Sequence, residues 1–73
     1  MARMEVKSEV TGKVWKIEGK TGQKMDADEP IMIIESMKME IPVSFEEIGT
    51  IVELLVKEGE AVEDGQTVAI LET

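Results

Sequence analysis

The stretch Ile31-Met32-Ile33-Ile34-Glu35-Ser36-Met37-Lys38-Met39-Glu40-Ile41-Pro42-Val43 lies at the middle of a 73-residue chain, where one apolar run ends and another begins. A single lysine stands between two methionines at the joint. Short runs rich in β-branched residues suit strands, so the stretch predicts a hairpin with strands over 30–36 and 39–43. Pro30 is tolerated as a strand's first residue, where no N–H is needed.

Working outward, a shift of 37 positions superimposes the two halves without a gap. Val6/Val43, Glu9/Glu46, Gly12/Gly49, Lys20/Lys57, Gly22/Gly59, Ile33/Ile70 and Glu35/Glu72 are identical. Val14/Ile51, Ile17/Leu54, Met25/Val62, Asp26/Glu63, Ile31/Val68 and Ile34/Leu71 are close substitutes. Glycine falls on glycine and apolar run on apolar run, which marks an internal repeat. The half-repeats cover about 4–36 and 41–73 of one domain, 1–73. A two-fold relation makes Lys38 the counterpart of Met1 and sets the joint and the termini at opposite poles.

Further strands are predicted over 4–8, 12–17, 49–55 and 67–72, with minor ones at Lys24-Met25 and Ala61-Val62. No window keeps a helical stripe. The expected fold is therefore all-β, with about eight short strands, and the runs Ile31–Ile34 and Thr67–Leu71 are read as its central pair. Gly22 and Gly59 occupy matching connections that call for positive φ. Trp15, the only tryptophan, is read as a core residue facing Val52 and Ile17.

Composition narrows the function. The chain has no cysteine and no histidine, so thiolate or imidazole zinc sites and Ser-His-Asp or Cys-His catalysis are excluded. Its formal charge of -8, with basic residues scattered, argues against nucleic acid. The acidity suits solubility, with steering toward a basic partner as a second role. Apolar runs such as Ile31–Ile34 are too short to span a bilayer and no signal-like stretch opens the sequence, so no membrane partner and a cytoplasmic location are expected. No linker-like tract is present, and the chain reads as a folded module and little else.

Two motifs fail on inspection. Gly19-Lys20-Thr21 imitates the end of a phosphate-binding loop, but Val14 stands where that motif begins with glycine, and Val14–Ile17 reads as a strand. The acidic group Asp26-Ala27-Asp28-Glu29 repeats as Glu63-Asp64-Gly65-Gln66, as solvated turns do, and matches no calcium loop.

The hexapeptide Glu35-Ser36-Met37-Lys38-Met39-Glu40 resembles the Met-Lys-Met signature of biotinyl domains, in the biotin/lipoyl attachment family that includes biotin carboxyl carrier proteins and short attachment proteins. The resemblance covers nearly the whole chain. It implies a flattened β-barrel or sandwich of two quasi two-fold half-repeats. Because the offset of 37 has no gap in the first half, the protruding thumb of some carriers is not expected. It also implies that Lys38 carries covalent biotin, and that Met37 and Met39 form an apolar collar read by a biotin protein ligase. Glu35 and Glu40 are weaker candidates for contact, since Glu35 repeats as Glu72 in the half without the lysine. As the central residues of a hairpin, as in the family, Met37 and Lys38 need positive φ, which is costly for such side chains.

The implied activity is that of a non-catalytic swinging arm. Biotin on Lys38 is carboxylated by a biotin carboxylase and visits a carboxyltransferase, while the tether supplies effective concentration. Ser36 departs from the alanine common before Met-Lys, which keeps lipoate as a minority alternative, although the Asp-Lys-Ala context usual for lipoyl lysines is absent. An unmodified β-barrel used as an interaction module is the third reading.

Overall fold

The computed structural model describes residues 2–73, all strand, turn and loop. Eight strands form: β1 (Arg3–Lys7), β2 (Gly12–Ile17), β3 (Lys24–Met25), β4 (Met32–Ser36), β5 (Met39–Val43), β6 (Gly49–Leu54), β7 (Ala61–Val62) and β8 (Thr67–Glu72). They make two antiparallel four-stranded sheets, ordered β1-β8-β6-β3 and β5-β4-β2-β7. The result is a flattened sandwich, in which each sheet draws two strands from each half of the sequence. Neither half can complete a sheet alone.

The offset of 37 reappears in the hydrogen bonds. Lys20 N–H donates to Gln23 Oε1 at 3.1 Å, as Lys57 N–H does to Glu60 Oε1. Asp26 N–H donates to Glu29 Oε1 at 2.9 Å, as Glu63 N–H does to Gln66 Oε1. Gly22 N–H reaches the Ile51 carbonyl and Gly59 N–H the Val14 carbonyl, both at 2.7 Å. The predicted positive φ is present at both glycines, 90° in each. A third matched site escaped the sequence: Asp28 has φ 64° where its counterpart Gly65 has φ 87°. Short polar side chains tolerate this region best after glycine, so the aspartate hides a position whose geometry the second half reveals.

Alternation of exposure along the strands turns one face of each sheet inward. The core holds the repeat pairs Val6/Val43, Val14/Ile51, Met25/Val62, Ile31/Val68, Met32/Ala69 and Ile34/Leu71, together with Val56. The counterpart of Val56 is Gly19, where an added Cβ would stand 2.5 Å from Ile51 Cδ1. A large residue in one half thus meets a small one in the other, which lets the interior fill without voids. Ser8, the one buried polar residue among those described, donates its hydroxyl to the Val10 carbonyl at 2.6 Å.

Two expectations are corrected. Trp15 is not a core residue; it is half exposed. The register of β2 against β4 passes from Val14 opposite Ile34 to Lys16 opposite Ile33, so Trp15 is the extra residue of a bulge and turns away from the ladder. Val52, its counterpart, is the bulge residue of β6 in the other sheet and, like Trp15, lies outside the core cluster. Likewise β4 and β8 are not paired with each other. Each occupies an inner position of its own sheet, and their core residues meet across the sandwich.

The joint and the termini lie at opposite ends of a body measuring 36 × 17 × 17 Å. Ser36, at the end of β4, adjoins Thr11. Ala2 and Thr73 exchange two backbone hydrogen bonds beside the Thr50–Glu72 pair. Met1, expected as the counterpart of Lys38, lies outside the described residues.

Candidate functional site

The end of the β4–β5 hairpin is built from the backbone outward. Glu35 pairs with Glu40 and Ser36 with Met39, which leaves Met37 and Lys38 as a two-residue connection. Their φ values are 51° and 66°. Two consecutive positive φ angles mark the type I′ geometry that matches the right-handed twist of paired strands, and Asn-Gly is its usual sequence. Side chains as large as methionine and lysine cost roughly 1–2 kcal/mol each in this region. The fold holds them there although cheaper residues exist, and a residue kept in a strained conformation points to a role outside stability.

Two segments, the start of β2 and the β7–β8 turn, brace the hairpin from below. Ser36 donates its hydroxyl to the Thr11 carbonyl at 2.7 Å. Asp64 N–H donates to Thr11 Oγ1 at 3.0 Å, which ties the β7–β8 turn to the same point. β2 approaches so closely that a Cβ on Gly12 would stand 2.3 Å from the Glu35 carbonyl oxygen. Gly49 approaches Glu72 in the same way, at 3.2 Å from its carbonyl oxygen, which gives the Gly12/Gly49 identity a steric meaning. Thr11 and Asp64 were not legible as site residues, because neither belongs to the motif and their counterparts, Ile48 and Ala27, carry no equivalent groups. The serine that departs from the usual alanine has a structural use here.

Above the brace the side chains are free. Met37 is 92% and Met39 62% exposed. Lys38, Glu35 and Glu40 are exposed as well. The ion pairs among the described residues are Arg3–Glu72 and Lys16–Glu18, so the Lys38 amine is held by neither. Glu35 and Glu40 face each other across the ladder with Lys13 opposite Glu35 on the other side. Clefts along the waist, both bordered by Lys7 and Ser44, include none of residues 35–40. No group of three or more acidic residues able to hold a metal ion occurs among the described residues. The site is a projecting primary amine in an apolar collar, and its available chemistry is acylation on nitrogen.

A family model described as "Biotin-requiring enzyme" matches residues 4–71. The chain belongs to the biotin/lipoyl attachment family. It is 37% identical over 62 residues to a biotin/lipoyl attachment protein of Bacillus subtilis, covering 85% of both chains. It is 35% identical over 68 residues to urea amidolyase of Saccharomyces cerevisiae, covering 93% of this chain and 4% of that one. In three dimensions it superimposes on the Kluyveromyces lactis urea carboxylase with TM-score 0.92 and 33% identity, over 99% of this chain and 6% of that one. A single-chain, multi-domain long-chain acyl-CoA carboxylase shares the fold at TM-score 0.89 and 20% identity, over 94% of this chain and 7% of that one. The chain thus matches most of one short relative and a small part of large carboxylases. For a biotinyl domain of this family the residues fit the group: Lys38 offers an exposed nitrogen, in no ion pair among the described residues, at the end of a braced hairpin.

Proposed function

We propose that this chain is a biotin carrier domain that holds biotin in amide linkage to Lys38 Nζ and presents it to the active sites of a biotin-dependent carboxylase. The observation that carries the reading is the Met37-Lys38 turn, where both residues keep positive φ at the exposed end of a braced hairpin. Likeness to the urea carboxylase supports biotin over lipoate.

In this reading each part of the site has a task. The type I′ turn keeps the amine clear of the sheet, so that a biotin protein ligase can distinguish it from the other six lysines. Met37 and Met39 give the ligase an apolar surface on both sides of the amine, and the nitrogen loses a proton to the ligase as it attacks the activated carboxyl group. Bound biotin supplies a ureido nitrogen able to accept and release a carboxyl group. The chain's own contribution is to hold one end of the tether on a rigid body, which raises the local concentration of the cofactor at a biotin carboxylase and then at a carboxyltransferase. No acid, base or metal on this chain is required for that task, and a cytoplasmic location accords with it.

The test is ligation. Incubation of the full chain with biotin, ATP and a biotin protein ligase is expected to add one biotinyl group by intact mass, and Lys38→Arg to abolish the increment. Labelling that persists in Lys38→Arg would overturn the assigned nitrogen. Acceptance of a lipoyl group from lipoate ligase without biotin labelling would turn the reading to a lipoyl carrier, and reaction with neither ligase to an interaction module.

A further inference from the structure

The described methionines differ in access, and Met4 is intermediate. Met25 and Met32 are closed inside the core, at 2% and 0% exposure, whereas Met37 and Met39 stand at the turn, with Met37 the most exposed large apolar residue among those described. Hydroperoxides oxidise thioethers to sulfoxides, and no cysteine is present to react first. Among the described residues, the two exposed methionine sulfurs therefore flank the lysine on both sides.

We propose that Met37, assisted by Met39, is a peroxide-sensitive modification site that controls loading of Lys38; the proposal rests on the reading of Lys38 as an attachment point. The sulfur lone pair attacks the distal oxygen of hydrogen peroxide, the O–O bond breaks as the S–O bond forms, and the remaining oxygen leaves as water. Sulfur loses two electrons and the peroxide gains them. The product replaces a soft apolar side chain with a polar, chiral one, set where the ligase makes apolar contact. An unpaired polar group in such a contact is penalised, so recognition falls. The fold does not respond, because Met37 and Met39 lie outside the core cluster while Met25 and Met32 belong to it. Methionine sulfoxide reductases reverse the change, so the site is switchable.

The experiment treats the full, unloaded chain with limiting hydrogen peroxide, removes the excess with catalase, and maps oxygen incorporation by peptide mass. Met37 is expected to gain oxygen first and Met39 next, with Met25 and Met32 unchanged and the thermal midpoint unmoved. Ligase kcat/KM on the oxidised chain should fall roughly tenfold, the scale of an unpaired polar group in an apolar contact, and recover after treatment with sulfoxide reductases. Met37→Leu and Met39→Leu, each compared with its own untreated form, separate the two sulfurs. Sensitivity in Met37→Leu equal to that of the parent would overturn the assignment to Met37, as would oxidation of Met25 or Met32 ahead of it. Equal loading of oxidised and untreated chains overturns the control alone. An untreated chain that takes no biotin overturns the attachment reading and the control together.

Discussion

Lys38 has no ion-pair partner among the described residues, and its chemistry follows from where the backbone holds it. With φ of 51° and 66°, Met37 and Lys38 occupy a turn that Asn-Gly would form at lower cost. Replacing Met37-Lys38 by Asn-Gly is therefore expected to stabilise the domain by roughly 1–2 kcal/mol, read as a higher denaturation midpoint, while ending acceptance of biotin. An unchanged or lower midpoint would show that the turn stores no strain. Glycines separate into two kinds at this scale. Gly59→Ala, at φ 90° with open space around the new Cβ, should cost only about 1 kcal/mol through its backbone. Gly12→Ala must push against the Glu35 carbonyl and should cost more, on the order of 2–3 kcal/mol. It should also slow labelling, because β4 leads directly into the turn; equal denaturation midpoints for the two variants would refute the steric argument.

The hairpin β4–β5 is the functional element, and it is not autonomous. Isolated two-stranded hairpins are marginal in water, and this one is held by β2 on its open edge and by Thr11, which binds both Ser36 and Asp64. Ser36→Ala removes one exposed hydrogen bond and is expected to cost about 0.5–1 kcal/mol, with labelling retained. Amide exchange localised to residues 35–40 would report the loosened brace, and exchange unchanged there would mean that Ser36 does not support the turn. Bulges at Trp15 and Val52 interrupt an inner strand of each sheet at matching repeat positions, and the one at Trp15 leaves its side chain exposed.

For the whole molecule, the quasi two-fold repeat determines both stability and placement. Each sheet takes strands from both halves, so a disturbance of the shared core cannot be confined to one of them. Ile51→Ala, at the fully buried counterpart of Val14 and beside Gly19, is expected to cost about 2–4 kcal/mol. Small domains hold only about 5 kcal/mol or slightly more, so the variant should melt at a much lower temperature and as one cooperative transition. Separate melting of the halves would contradict the interlocked topology. The same symmetry carries the termini to one end and Lys38 to the other, so a chain joined at its termini to larger partners would still present the lysine freely.

The periodicity of apolar residues and the spacing of glycines determined the strands, the repeat and the positive-φ turns at Gly22 and Gly59, because these depend on local alternation and on which residues accept positive φ, while the left-handed turn at Met37-Lys38 followed from the family resemblance. Tertiary structure alone decided the rest. Trp15 lies in an apolar run that reads as core, yet a bulge set by the mismatch between β2 and β4 rotates it to the surface. Asp28 conceals a glycine-like backbone that only its two-fold counterpart discloses. Thr11 and Asp64 join the site because packing brings residues 25 and 53 positions apart to one point. Local preference is written in neighbours along the chain, whereas bulges and braces arise from the fit between strands distant in sequence, which no single segment encodes.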